Sequence, residues 1–268
     1  MTASEQAVLA AIARGRLFDL EQPRQAQDPI FPGHWPGFAF TLHRRHEAGL
    51  ERRTSASGML YMAEHSGTHI DALCHQAEDL HLYGGTPVTA TVQTSAGFTK
   101  LGVETIGPIV RRGVLLDLAR GGEPAPRSLL EADALHTALA EAGVSIGIGD
   151  VVLVRTGYGR YWREPERYLA APGLGASASA WLGAQGVFAV GSDNVAWDLP
   201  DHVDPATGTT LPGHVLLIVR RGIHIMENLF LEELAAQGLQ EFLFIALPLK
   251  VDGGTGSPIR PVALSLPD

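Results

Sequence analysis

Glu64-His65-Ser66-Gly67-Thr68-His69-Ile70-Asp71-Ala72-Leu73-Cys74-His75 is the stretch on which the rest of the chain is read. Three of the chain's 11 histidines and one carboxylate fall within residues 65–75. Neutral imidazole with carboxylate is a donor set that borderline divalent ions such as Zn²⁺ and Mn²⁺ accept. On an ideal helix His65 and His69 share a face, but Asp71 lies about 200° round from His69 and cannot join them. On a strand, positions 65, 69, 71 and 75 all point to one side. Fully extended chain would part 65 from 69 by about 13 Å, too far for two ligands of one ion. The chain must therefore bend, and it can do so at Ser66-Gly67, because glycine adopts conformations other residues avoid. The spacing predicts a turn at 66–67 that folds His65 back over a short strand carrying His69 and Asp71. Those three form one facial ligand set, with His75 close by. Cys74, adjacent to His75, points to the opposite face and into the core, which argues against a Cys–His nucleophile.

Outward from this stretch the chain alternates between helix and strand signals. Residues 4–14 have helical spacing, and 17–20 read as a first strand. The segment 23–40 is rich in Pro, Gly and aromatics and reads as a long irregular covering loop. Residues 44–57 are polar and read as two hairpin arms, with 60–64 a strand leading into the histidines, and 81–85 read as a loop whose His81 is a further possible site member. Gly113–Leu118, Val151–Val154, Val187–Val190, Ile223–Glu227 and Phe242–Leu247 read as strands, the last closing the sheet. Ser128 and Glu131 have capping-box spacing for a helix running through Ala142, a second helix covers 176–185, and Asn228 caps a third through Gln237. Gly143-Val144-Ser145-Ile146-Gly147 has the G-x-S-x-G spelling, but a helix precedes it and a strand follows, the reverse of a nucleophile elbow. Asp252–Pro258 reads as a turn, not a phosphate cradle. No repeat or linker interrupts the pattern. The expectation is one α/β domain over residues 1–268, a mixed β-sheet core with flanking helices.

Composition narrows the function classes. A net charge of −9 disfavours nucleic acid and anionic membrane as partners. No apolar run approaches the ~18 residues of a membrane span, and Met1–Arg16 lacks the features of a signal peptide. One cysteine excludes an internal disulfide and fits a reducing cytoplasm. An ion held by two His and one carboxylate keeps open positions, which distinguishes catalytic from structural sites. Such an ion activates water and polarises a carbonyl, which suits hydrolysis of an amide or ester. His75, beyond Asp71 but close to the ligands, takes the acid–base role toward the leaving group.

The pattern H-x-G-T-H-x-D-x-x-x-H over 65–75 resembles the signature of the metal-dependent cyclase family, which includes bacterial kynurenine formamidases and isatin hydrolases. Leu73-Cys74 stands where that family usually has Pro-x. Leu211-Pro212-Gly213-His214 and Gly222–Leu229 resemble further family blocks, so the likeness spans most of the chain. It implies a cyclase-like swivelling β/β/α fold, His214 and Glu227 as additional ligands, and one or two divalent ions, Mn²⁺ or Zn²⁺. It also implies a homo-oligomer, dimer or tetramer, with the site near an interface. The N-terminal segment, residues 1–58, becomes an arm and substrate cover in which Trp35, Phe38 and Phe40 are candidate pocket walls. The implied reaction is cleavage of a carbon–nitrogen bond, in a lactam or N-formyl amide, of a small cyclic or aromatic substrate. Length and the long N-terminal region sit closer to an isatin hydrolase than to a compact kynurenine formamidase. A lactone hydrolase, a metal-dependent lyase or dehydratase, and a non-catalytic metal or metabolite binder stay open as alternatives.

Overall fold

Strands that are apolar at consecutive positions need cover on both faces, and a parallel sheet flanked by helices supplies it. The structure, a computed structural model, describes residues 1–49 and 52–266. Its principal strands are β1 (Arg16–Asp19), β2 (Phe38–Arg44), β3 (Ser57–Met62), β4 (His69–Asp71), β5 (Ile109–Asp117), β6 (Val151–Arg155), β7 (Ala189–Ser192), β8 (His224–Glu227), β9 (Glu241–Ala246), β10 (Gly256–Pro258) and β11 (Val262–Ser265). The main helices are α1 (Ala3–Arg14), α2 (Ala132–Ala142), α3 (Ala176–Ala184) and α4 (Glu232–Ala236). Nine strands form one sheet in the order β1-β11-β9-β5-β6-β7-β8-β4-β10. The four central strands, β5 to β8, are parallel; antiparallel strands extend the sheet on both sides. This is the mixed α/β architecture with flanking helices that the sequence predicts.

Alternate residues of the parallel strands serve two cores. Leu116, Val152, Val154 and Ile225 pack with Leu135 of α2 and Leu182 of α3. Leu115, Leu153 and Met226 face the other way, toward Phe244 of β9 and Leu234 of α4. Each such side chain taken out of water contributes ~1.5–3 kcal/mol, and a one-residue slip would exchange the two faces. Register is therefore fixed, and with it the level at which β7 and β8 end. Among the described residues no helix is long and apolar enough to cross a membrane.

Several expected boundaries move, each for a local reason. The helix expected from Ser128 begins at Ala132, because Leu129–Leu130 pair in parallel with Gly173–Leu174 instead. The helix expected from Asn228 begins at Glu232; Asn228 has φ +58° and serves the site described below. β9 does not close the sheet, since β11 and β1 lie outside it. The Pro-rich segment holds one short helical turn, Pro32–His34, and becomes strand at Phe38. β2 and β3 form a hairpin whose arms lie either side of the span in which the arms were expected, with Phe40 opposite Leu60. Positions 50 and 51, within that expected span, lie outside the described residues.

Candidate metal centre

The carboxyl ends of parallel strands are where α/β sheets place their ligands, and the histidine stretch lies there. Glu227, the last residue of β8, stands opposite His69 in register, and Asp71 stands opposite Gly256. His69 and Asp71 share a side of β4, as the spacing predicts. Gly67, at φ +60°, turns the chain so that His65 Nδ1 comes within 2.8 Å of Asp71 Oδ1. The Arg24 guanidinium secures this turn by donating to the carbonyls of Ser66 and Thr68. Gly256 is required by close approach: a Cβ there would lie 2.6 Å from His65 Cε1. His214 arrives from the opposite direction, at the end of the short helix Pro212–His214. Its Nε2 lies 3.5 Å from Asp71 Oδ2 and 3.4 Å from Glu227 Oε1, while His69 Nε2 lies 3.3 Å from Glu227 Oε2.

The hydrogen-bond network assigns the protons, and the assignment is informative. His69 Nδ1 lies 2.8 Å from the Gly67 carbonyl, which can only accept, so Nδ1 carries a proton and Nε2 is the nitrogen available to a metal. His214 Nδ1 donates to Asp198 Oδ2 at 2.8 Å, leaving its Nε2 as the inward nitrogen as well. At His65 the chain of contacts is longer. Thr255 Oγ1 donates to the Glu64 carboxylate at 2.5 Å, so it must accept from His65 Nε2, 2.9 Å away. The inward nitrogen of His65 is then Nδ1. All three inward nitrogens face the carboxylates of Asp71 and Glu227. His65 Nδ1, both oxygens of Asp71 and Glu227 Oε1 are buried without a hydrogen-bond partner. Buried polar atoms left so cost several kcal/mol unless a partner is supplied. A cation is the partner that lone pairs on both sides have in common, so these residues fit a metal by their own chemistry.

In the metal-free centre the same carboxylates hold protons on the imidazoles that a cation would displace. Burial would raise Asp71, yet the imidazoles of His75, His65 and His69 hold its carboxyl far below the usual range. Burial would lower His69, but Glu227 and Asp71 raise it; Asp198 and Glu227 do the same for His214. His75 is lowered well below the ordinary imidazole value, chiefly by burial and then by repulsion from His65, His214 and His34, with Asp71 opposing. Its ring stacks on His65 at 4.0 Å and lies 6.0 Å from His214. The turn that places it is held by His75 N–H to Ala72 O and by Cys74 N–H to Leu101 O, so it stands without the proline usual there. Cys74 faces the core, as expected.

Sequence reasoning missed His34. The Pro32–His34 turn lays its ring on His65, with centroids 4.6 Å apart and planes 25° apart, and burial with repulsion from His65 and His69 lowers it to about 4. A lone histidine in an irregular Pro-rich segment carries no spacing signal, and only tertiary packing brings it to His65. Of that segment's aromatics, Trp35 is exposed, the exposed Phe40 lies with its ring across Gly58 of its own hairpin, and Phe38 is partly buried at the hairpin root. What this segment brings to the centre is an imidazole. His81 is exposed and bonds the carbonyl of Asp79. Asp198, Thr255 and Glu64 were also missed, because no spacing rule links them to the histidines. Asn228 donates to the Gly67 carbonyl and accepts from Tyr168, bracing the turn rather than capping a helix.

Comparison with known proteins points the same way. Residues 18–199 match the Cyclase family model. The chain is 31% identical to a kynurenine formamidase of Paracidovorax citrulli over 92% of its own length and 95% of that protein. It is 28% identical to an isatin hydrolase of Roseibium aggregatum, covering 83% of this chain and 80% of the other. A crystal structure described as a novel cyclase superposes with a TM-score of 0.84 at 29% identity, covering 99% of this chain and 92% of that one. The match over most of the chain, on a sheet that gathers the signature histidines at its strand ends, makes this protein a member of the cyclase family.

Proposed function

We propose that this chain is a metal-dependent hydrolase that cleaves a carbon–nitrogen bond, in a lactam or N-formyl amide, of a small cyclic or aromatic substrate. The observation that carries the reading is the arrangement of three imidazoles, each with one nitrogen committed to an outward partner and the other turned toward Asp71 and Glu227. The names of the relatives, kynurenine formamidase and isatin hydrolase, support the same bond type. They give no support to the lyase, dehydratase or non-catalytic readings.

His65, His69, Asp71, His214 and Glu227 would hold the metal. Asp71 presents Oδ1 to His65 and His69 and Oδ2 to His214, so the set would serve either one ion or two. Zn²⁺ and Mn²⁺ both suit these donors, and either supplies, when bound, a Lewis acid for the carbonyl oxygen and a more acidic water. The remaining work belongs to the chain. His75 is held neutral, so it can take a proton from the attacking water and deliver it to the leaving nitrogen, which departs poorly as an anion. Asp198, acting on His214, and the Glu64–Thr255 pair, acting on His65, keep the metal-facing nitrogens turned inward. His34, stacked on His65, would border the substrate beside the centre. We further read the protein as a cytoplasmic homo-oligomer; the single buried thiol of Cys74 supports a reducing compartment.

The test is turnover of isatin, N-formylkynurenine, formanilide and a lactone in ¹⁸O-labelled water, with Zn²⁺- and Mn²⁺-loaded protein. Label in the new carboxylate or formate from at least one amide is expected. Metal-loaded protein that turns over none of the amides, or yields unlabelled product, contradicts the reading.

A further inference from the structure

His34 and His75 reach the centre without belonging to its ligand set. One comes from the Pro32–His34 turn and the other from the turn beyond β4, and their rings stand 5.9 Å apart with the His65 ring against both. One ligand nitrogen of each of the three lies within 4.8 Å of the other two. The ligand histidines all have an outward partner: Thr255 for His65, the Gly67 carbonyl for His69 and Asp198 for His214. Among the described residues, neither the His34 nor the His75 ring has a hydrogen-bond partner. A partly buried imidazole left so takes water or an ion as its partner. Both rings keep some exposure, so an ion can reach them from solvent. His65 has no nitrogen to spare for it, because Nδ1 faces Asp71 and Nε2 is held by Thr255.

We propose that His34 and His75 form a further cation site, which takes Zn²⁺ in excess of the resident metal and thereby inhibits turnover. The geometry suits it. A tetrahedral ion holds two imidazole nitrogens about 3.4 Å apart, a spacing that a small ring rotation reaches from nitrogens already within 4.8 Å. The donor chemistry selects the ion. These two side chains offer nitrogen and no carboxylate, and imidazole suits Zn²⁺, whereas Mn²⁺ prefers oxygen. Water completes the coordination, and repulsion from the resident ion makes this the weaker of the sites. The consequence for turnover comes through His75. A lone pair committed to Zn²⁺ cannot take a proton from the attacking water. The inhibitory role rests on the hydrolase reading above; the site itself does not.

Full-length protein with its resident metal already in place as Zn²⁺, dialysed against further Zn²⁺ or against Mn²⁺ and analysed for metal, tests the site. Wild type is expected to take up one more Zn²⁺ per chain than His34→Phe, which keeps an aromatic ring against His65 but no nitrogen, and to take up no Mn²⁺. Because that change could shift the Pro32–His34 turn, His34→Cys, which restores a donor, is measured beside it. It is expected to hold the additional ion again, and Co²⁺ added to its Zn²⁺-filled form should give a thiolate-to-cobalt charge-transfer band. In wild type, turnover is expected to fall about tenfold or more as the additional Zn²⁺ is taken up, and to be unmoved by excess Mn²⁺. Wild type that takes up no more Zn²⁺ than His34→Phe, takes Mn²⁺ as readily, or keeps full turnover with the additional ion bound overturns the proposal, as does His34→Cys without the band. The metal count needs no substrate, so the two failures are distinct: protein that gains the additional ion yet hydrolyses no amide contradicts the hydrolase reading and supports the site.

Discussion

Two residues separate the end of β3 at Met62 from His65, yet the chain on either side of that gap follows opposite rules. On the centre side, ionisable groups are buried: His65, His69, Asp71, His214 and Glu227 are each 6 % exposed or less. On the hairpin side, large apolar groups stand in water: Met59, Leu60 and Tyr61 are each more than 60 % exposed. Folding of a single chain favours neither arrangement. Each becomes favourable once a partner is added, a cation for the buried lone pairs and apolar cover for the arm. The contrast teaches that violations of ordinary burial identify what a chain binds, and that the kind of violation identifies the kind of partner.

The contrast can be sharpened first inside the centre. His75→Gln removes a proton carrier but no proposed ligand of the resident metal. It should lower turnover by about 10²–10⁴-fold while tightly bound metal stays at the wild-type level; elemental analysis beside a rate measurement checks both. Loss of that metal together with rate would make His75 one of its ligands instead.

A second prediction concerns pH. In the metal-free chain His69 and His214 sit above the ordinary imidazole value of 6.5, because neighbouring carboxylates outweigh burial. Their contribution to stability is fully present below that value and is lost as pH rises through their raised values. Metal binding runs the other way, since both nitrogens must be free of protons. Apparent affinity should therefore climb roughly ten- to a hundredfold per pH unit and level off only above pH 6.5. Competition titration with a chelating dye across pH measures it, and a flat profile would break the proton assignment.

Asp198→Ala touches no inward-facing atom. By releasing His214 Nδ1 it should still cost about 10–100-fold in metal affinity. The smallest effect belongs to the hairpin. Met59→Thr should change the thermal unfolding free energy of a dilute monomer by less than about 0.5 kcal/mol, because the side chain is already solvated there. A large loss would mean that the arm packs within its own chain.

The parallel strands were legible in the sequence because Val151–Val154 and Val187–Val190 are apolar without alternation, and that pattern has few other uses. The His65, His69, Asp71 set was legible because parity on a strand and one turn at Gly67 are local properties. His214 and Glu227 came only through resemblance: their nearness to Asp71 depends on β8 pairing with β4 across 156 residues of chain (Met226 against Ile70), which no spacing reveals. His34, Asp198 and Thr255 were unreadable for the same reason, each entering from a loop placed by tertiary packing. The strand at Phe38–Arg44 was not legible in the N-terminal segment, because its density of Pro, Gly and aromatics masks a hairpin whose partner lies beyond a polar stretch.

The central claim is that the inward lone pairs of His65, His69 and His214 and the oxygens of Asp71 and Glu227 share a cation. Equilibrium dialysis against Zn²⁺ or Mn²⁺, followed by elemental analysis of wild type and Asp71→Asn, tests it most directly. The account predicts one to two tightly held ions per chain in wild type and a loss of at least about tenfold in affinity in the variant. Wild-type protein that emerges from dialysis without metal, or a variant that retains the full complement, would contradict it.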